Sequence, residues 1–151
     1  YNGIQKMSKI KSFRGKIAHG GQDTVVLHTN TGSTGYIIKK FQLMAKDASE
    51  NLENVVKVTS IRQTVIDGTV DFNDQTILAV GMIWASTSQS SVHESNIVFE
   101  NMKFNQDIYI TNYDVQTTSE VNYYIELEQI KLDLNENTVA TLKDIRNIAS
   151  Q

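Results

Sequence analysis

The run Val121-Asn122-Tyr123-Tyr124-Ile125-Glu126-Leu127-Glu128 decides the fold class. Val121, Tyr123, Ile125 and Leu127 alternate with the more polar Asn122, Tyr124, Glu126 and Glu128. Successive side chains of a strand point to opposite faces, so this period specifies one buried face and one wet face. Past Glu128 the phase flips, and Ile130, Leu132 and Leu134 are apolar instead. One extra residue exchanges the two faces of a strand, so a bulge or bend is predicted near Gln129.

Working outward, the chain repeats this theme: short β-branched and aromatic segments broken by small polar residues. Strands are predicted near 9–18, 22–29, 34–45, 53–63, 76–85, 95–100, 107–114 and 120–132. This predicts an all-β, two-sheet antiparallel β-sandwich, jelly-roll-like by its strand count. The chain contains no proline, so its turns must rely on Gly, Asn, Asp, Ser and Thr. Asn30-Thr31-Gly32-Ser33 and Asp67-Gly68 are such signals. The nearly unbroken apolar run Ile77–Ala85 predicts a strand covered on both faces or a subunit contact. Gly81, in its middle, predicts a kink or a close backbone approach. The polar stretch from Ser86 to Ser91 predicts a surface loop. Residues 136–149 depart from the pattern. Val139, Leu142, Ile145 and Ala149 recur at helical spacing, which predicts a short amphipathic C-terminal α-helix. The expected organisation is an N-terminal arm over 1–8 and a single sandwich domain over 9–151.

Composition narrows the chemistry. A chain of 151 residues with 40% hydrophobic and 21% charged content suits one folded domain. The absence of cysteine excludes disulfides, thiolate metal sites and a cysteine nucleophile. No apolar run approaches the roughly 20 residues a bilayer-spanning helix needs, so no membrane partner is expected. The N-terminus shows no positive-then-apolar export signal. The net charge of −3 is unevenly spread. Residues 1–46 hold eight cations against Asp23 alone, or +7, and the rest hold six cations against sixteen anions, or −10. This split predicts that residues 1–16, with Lys6, Lys9, Lys11, Arg14 and Lys16, reach outside their own sandwich onto an acidic surface of a neighbour. The pI of about 5.6 argues against nucleic acid as the partner.

Four groups of residues were candidates for chemistry. His19, His28 and His93 show no metal-ligand spacing, and no Gly-x-Ser-x-Gly elbow accompanies them. Asp67, Asp71, Asn73 and Asp74 offer oxygens that suit Ca²⁺, but without the EF-hand pattern, so they read as turn formers. Glu126 and Glu128 are explained by alternation as the wet face of a strand. Gly32-Ser33-Thr34-Gly35 is too short for a phosphate loop and reads as a hairpin turn. The sequence therefore assigns no catalytic, cofactor-binding or metal residue, and no enzyme activity is expected.

Three stretches carry a family resemblance. The first joins Ser12-Phe13-Arg14-Gly15, Gly20-Gly21-Gln22-Asp23 and Gly35-Tyr36-Ile37-Ile38-Lys39-Lys40-Phe41. The second is Phe104-Asn105-Gln106-Asp107-Ile108-Tyr109-Ile110-Thr111. The third joins Asn122–Glu128 with Thr138–Arg146. Together they resemble a family of small virion proteins encoded by marine bacteriophages. The resemblance implies a virion structural protein (capsid, decoration or tail component), made in the host cytoplasm. Contact with other virion proteins goes with that role, and the apolar surface of the run Ile77–Ala85 and of the expected C-terminal helix predicts self-association, with a trimer or larger ring expected over a monomer. The alternative is a carbohydrate- or receptor-binding module of a phage tail or fibre, with a host-surface glycan as partner and Trp84 and the serine loop near the contact.

Overall fold

The structure is a computed structural model and describes residues 9–29, 32–88 and 92–132. The expected arm over 1–8 and the expected helix over 136–149 lie outside the described residues. Among the described residues eight strands are present: β1 (Lys9–Ile17), β2 (Gln22–Val25), β3 (Thr34–Ala45), β4 (Leu52–Thr59), β5 (Ile77–Ala85), β6 (His93–Val98), β7 (Ile108–Asp114) and β8 (Val121–Lys131). They form two antiparallel sheets, ordered β1-β8-β3 and β2-β7-β4-β5-β6.

One apolar core lies between the sheets. Ile38, Phe41, Val121, Ile125 and Leu127 come from the three-stranded sheet, and Val56, Val58, Ile83, Ile108 and Ile110 from the five-stranded one. Val121, Tyr123, Ile125 and Leu127 are all buried, as the alternation of β8 requires. Burying a side chain such as Leu127 contributes about 1.5–3 kcal/mol. Two glycines admit large neighbours into this core. A Cβ on Gly81 would lie 2.8 Å from Leu43 and 3.0 Å from Phe41, so its bareness lets the opposite sheet approach β5. Gly15 pairs directly with Tyr123, and a Cβ there would lie 2.8 Å from the tyrosine ring.

The structure corrects three sequence expectations. The predicted bulge is not in β8, which runs in regular register with β1 from Val121 to Gln129. A different bulge is present in β3, between Ile38 and Lys40, opposite Leu127 and Glu126. Only one strand of a pair needs the extra residue. Here it lets Ile38 and Phe41, three positions apart, both reach the core. Residues 9–16 do not leave their own sandwich, because Lys9–Lys16 are laddered to Gln129–Asn122. Finally, β2 and β4 stop at Val25 and Thr59, short of the predicted 29 and 63. Beyond them His28 takes a left-handed φ of 51°, and the Thr59 hydroxyl donates to the Ile61 carbonyl at 2.8 Å. Both conformations are incompatible with a continuing ladder.

The segment between β4 and β5 lies over the outer face of the five-stranded sheet. Lys57 points outward from β4 yet is only 8% exposed. Its Nζ donates to the Thr69 carbonyl at 2.8 Å and to Asp67 Oδ1 at 3.3 Å. Gln22 and Gln63 exchange hydrogen bonds at 3.1 and 2.8 Å, tying the start of the segment to β2. Phe72 meets Phe99 edge-on at 5.2 Å, tying down the far end. On the opposite side, the edges of β3 and β6 meet without a ladder. The Glu94 carboxylate bridges them instead, accepting the Leu43 N–H at 2.7 Å.

Candidate functional site

The two ends of the sandwich hold its polar chemistry. At one end, Asp114 closes β7 and is 2% exposed. Its Oδ1 accepts the backbone N–H groups of Glu53 (3.1 Å), Gln116 (2.8 Å) and Thr117 (3.0 Å). Its Oδ2 accepts the Ser119 N–H (3.1 Å) and the hydroxyls of Thr117 and Ser119. Burial alone would push this carboxyl up. The hydrogen bonds from Ser119, Thr117 and Gln116 outweigh it and hold the group well below the usual carboxylate range. Fully buried Asn54 and Asn112 extend the network. Asn54 Nδ2 donates to Asn112 Oδ1 at 2.8 Å, and Asn112 Nδ2 donates to the Ile17 carbonyl at 3.0 Å. The network thus ties β1, β4 and β7 together.

His19 joins this end, its ring 4.6 Å from that of Tyr113 and tilted 46° to it. Its Nδ1 accepts the backbone N–H of Asp114 at 3.0 Å. The geometry does not make His19 a base for Ser119. The serine hydroxyl donates to Asp114, and the imidazole meets that aspartate through its main chain. The chemistry here is structural, because each lone pair is aimed at a donor of the turn that it holds.

The other end, where β2 and β4 finish and β7 begins, is built differently. A depression of about 580 Å³ opens there, with Thr29, Arg62, Asn105, Asp107 and Tyr109 in its lining and His28 beside them. Asn105 is 7% exposed, and its Oδ1 has no hydrogen-bond partner. The Thr29 hydroxyl is likewise buried and unpaired. Asp107 Oδ1 accepts the Leu27 N–H at 2.9 Å, which fixes the carboxylate at the edge of the loop. Three chain segments, 26–29, 60–62 and 105–109, supply these groups. Their separation along the chain puts this arrangement out of reach of motif reading, although Phe104–Thr111 carries part of the family resemblance.

The residues that the sequence singled out are scattered. Asp67 accepts from Thr69 N, Asp71 from Asn73 N, and Asp74 from the N–H and hydroxyl of Thr76. Each aspartate therefore braces its own turn. Among the described residues no group of three or more His, Asp or Glu side chains gathers in a metal-holding arrangement. Glu126 accepts the Tyr124 hydroxyl at 2.6 Å, while Glu128 lies 3.7 Å from Lys39 Nζ, so the two carboxylates have separate partners. Trp84 is half-buried and its ring lies 5.3 Å from that of His93, on the outer face of the five-stranded sheet. A second depression, of about 700 Å³, lies on the outer face of the three-stranded sheet. Arg14, Gln42, Met44 and Tyr124 line it, and Met44 is 71% exposed.

Fold and site together define an all-β, two-sheet protein with a braced end and an open end. No protein-family model matches the chain, and no curated protein matches it.

Proposed function

We propose that this chain is a virion structural protein of a bacteriophage, working through contacts between folded surfaces. The observation that carries this reading is the strand order. The sets β1-β8-β3 and β2-β7-β4-β5 are the neighbours that two interlocked Greek keys of an eight-stranded jelly roll produce. The departure is β6, which extends the five-stranded sheet and lies beside β3 without a ladder, with Glu94 bridging the two. Jelly rolls recur in viral capsids and lectins, so the argument is one of fold analogy joined to the sequence resemblance. Exposed Met44 on one outer face and Met82 and Ile97 on the other add apolar surface for self-association or for docking on other virion proteins. Two strands, β1 and β2, end their sheets away from the contact of β3 with β6 and offer edges to a neighbour.

Mass spectrometry of purified particles tests this reading, combined with imaging of the labelled chain. The expected result is a fixed copy number at symmetric positions. A chain abundant in infected cells but missing from washed particles would overturn it. A second reading, recognition of a host-surface glycan, is favoured by the open end around Asn105.

A further inference from the structure

We infer that this chain binds a second copy of itself through two unlike patches, with Met44 of one copy seated in the depression beside Phe72 and Phe99 of the next. The patches lie at opposite ends of the sandwich. β3 finishes at Ala45, opposite Val121 at the start of β8. Val121 in turn faces Ile17, whose carbonyl is bonded by Asn112, so this is the Asp114 end. At the other end β5 begins at Ile77, opposite Thr59 of β4, and β6 finishes at Val98. Each patch leaves apolar surface in water. Met44 is 71% exposed. Phe72 is 50% exposed, and with Phe99 it lines a depression of about 510 Å³ whose apolar wall continues through Val98 and Met102. A methionine suits such a hollow, because its unbranched thioether adapts to irregular shapes and its sulfur packs well against aromatic rings.

Charge decides which surface meets which. Around Met44 the excess is positive. Lys16, Asn122 and Met44 share one cross-strand row, and Arg14, Tyr124 and Gln42 form the next. Lys16 and Lys46 share a single carboxylate, that of Glu120, at 3.9 and 2.9 Å. Among the described residues no acid pairs with Arg14. Glu94, the one acid in the lining there, is already held by the Leu43 N–H and the Asn96 amide. Around Phe72 the excess is negative. Asp74 and Glu100 stand in the lining of the depression, which contains no cation, and Asp71 adjoins Phe72 in the chain. Pairing like patches would set cations on cations or acids on acids, which is disfavoured. Pairing unlike patches puts an apolar anchor at the centre and opposite charges at the rim, the anatomy of a specific interface. Such a contact repeats from copy to copy, into a closed ring or an open chain. The inference rests on the self-association in the proposed function and names its surfaces, whereas the particle assignment is tested separately by the particle census.

The test uses the full chain in sedimentation velocity across a concentration series at low and high salt. The expected result is association that weakens as salt screens the charged rim. Met44→Ser and Phe72→Ser, both at exposed positions, are each expected to weaken association about tenfold or more without lowering the unfolding midpoint. Glu100→Lys gives a second measure of the depression if Phe72→Ser disturbs the fold. The decisive arm mixes the two serine variants. One keeps the depression and the other keeps Met44, so the mixture is expected to form one-to-one pairs that neither variant forms alone. The inference is overturned if the variants associate as tightly as the unaltered chain, a result that leaves self-association through other surfaces standing. It is equally overturned if the mixture forms no pairs. A chain that stays monomeric at millimolar concentration overturns both this contact and unaided self-association.

Discussion

The Asp114 end and the Asn105 end of the same sandwich show two uses of buried polar groups. Asp114 has hydrogen-bond donors on both oxygens, supplied by four residues within one turn and its flanking strand. Asn105 is almost as buried, yet its side-chain oxygen meets nothing. A satisfied network stiffens the fold, whereas an unsatisfied one costs stability until something else supplies the partner. The contrast teaches that burial alone does not say whether the fold satisfies a polar group.

The hardest blow to the braced end is Asp114→Ala. It strands several backbone donors at once and is expected to cost about 3–5 kcal/mol in urea unfolding. A loss below 1 kcal/mol would erase the contrast between the ends. Leu127→Ala, in the core between them, provides the apolar reference and is expected to cost about 2–5 kcal/mol.

The braced end also predicts an acid limb. A carboxyl held below its unfolded value contributes stability that is fully present above that value, about 3.9 for aspartate, and lost as pH falls towards the folded one. Unfolding free energy should therefore fall from about pH 4 downward, and fall less steeply in Asp114→Asn. Equal slopes in the two proteins would show that other carboxylates control acid unfolding.

Smaller effects sharpen the comparison. Gly15→Ala pushes a methyl into the Tyr123 ring, whose hydroxyl donates to Asp23 at 3.0 Å. About 1–3 kcal/mol of destabilisation is expected, read from the thermal midpoint. Asn105→Leu should change stability by less than about 1 kcal/mol, or raise it, because it removes an unpaired atom rather than a bond. A loss as large as that of Asp114→Ala would place Asn105 in the structural class.

Much of the fold was legible because strand periodicity is local. The alternation of β8 placed its inward residues directly, whereas Gly81 in an apolar run pointed only to a kink or a close backbone approach, and the structure sets side chains of Asn96, Leu43 and Phe41 against it. β8 carries no bulge near Gln129, because Ile130 is only half-buried on the strand and Leu132 lies beyond its end, so the apolar phase change marks the exit from the strand and not an extra residue. The segment from Ser60 to Thr76 showed turn signals only. Its role as cover for the five-stranded sheet rests on Lys57 and Gln22, which are distant in sequence. The candidate site was the least legible part. His28, Arg62 and Asn105 carry no shared motif, and an unmade hydrogen bond leaves no trace in composition.

By itself, the sequence determined the all-β class, the eight strands, the buried face of β8 and the absence of any thiol chemistry. Those properties depend on side chains within a few residues of one another. Tertiary structure alone decided the sheet order, the hydrogen bond between Asn54 and Asn112 and the unpaired state of Asn105. Each depends on which distant segments come into contact when the two sheets close over their core. A hydrogen bond, made or missing, belongs to that contact and not to either residue.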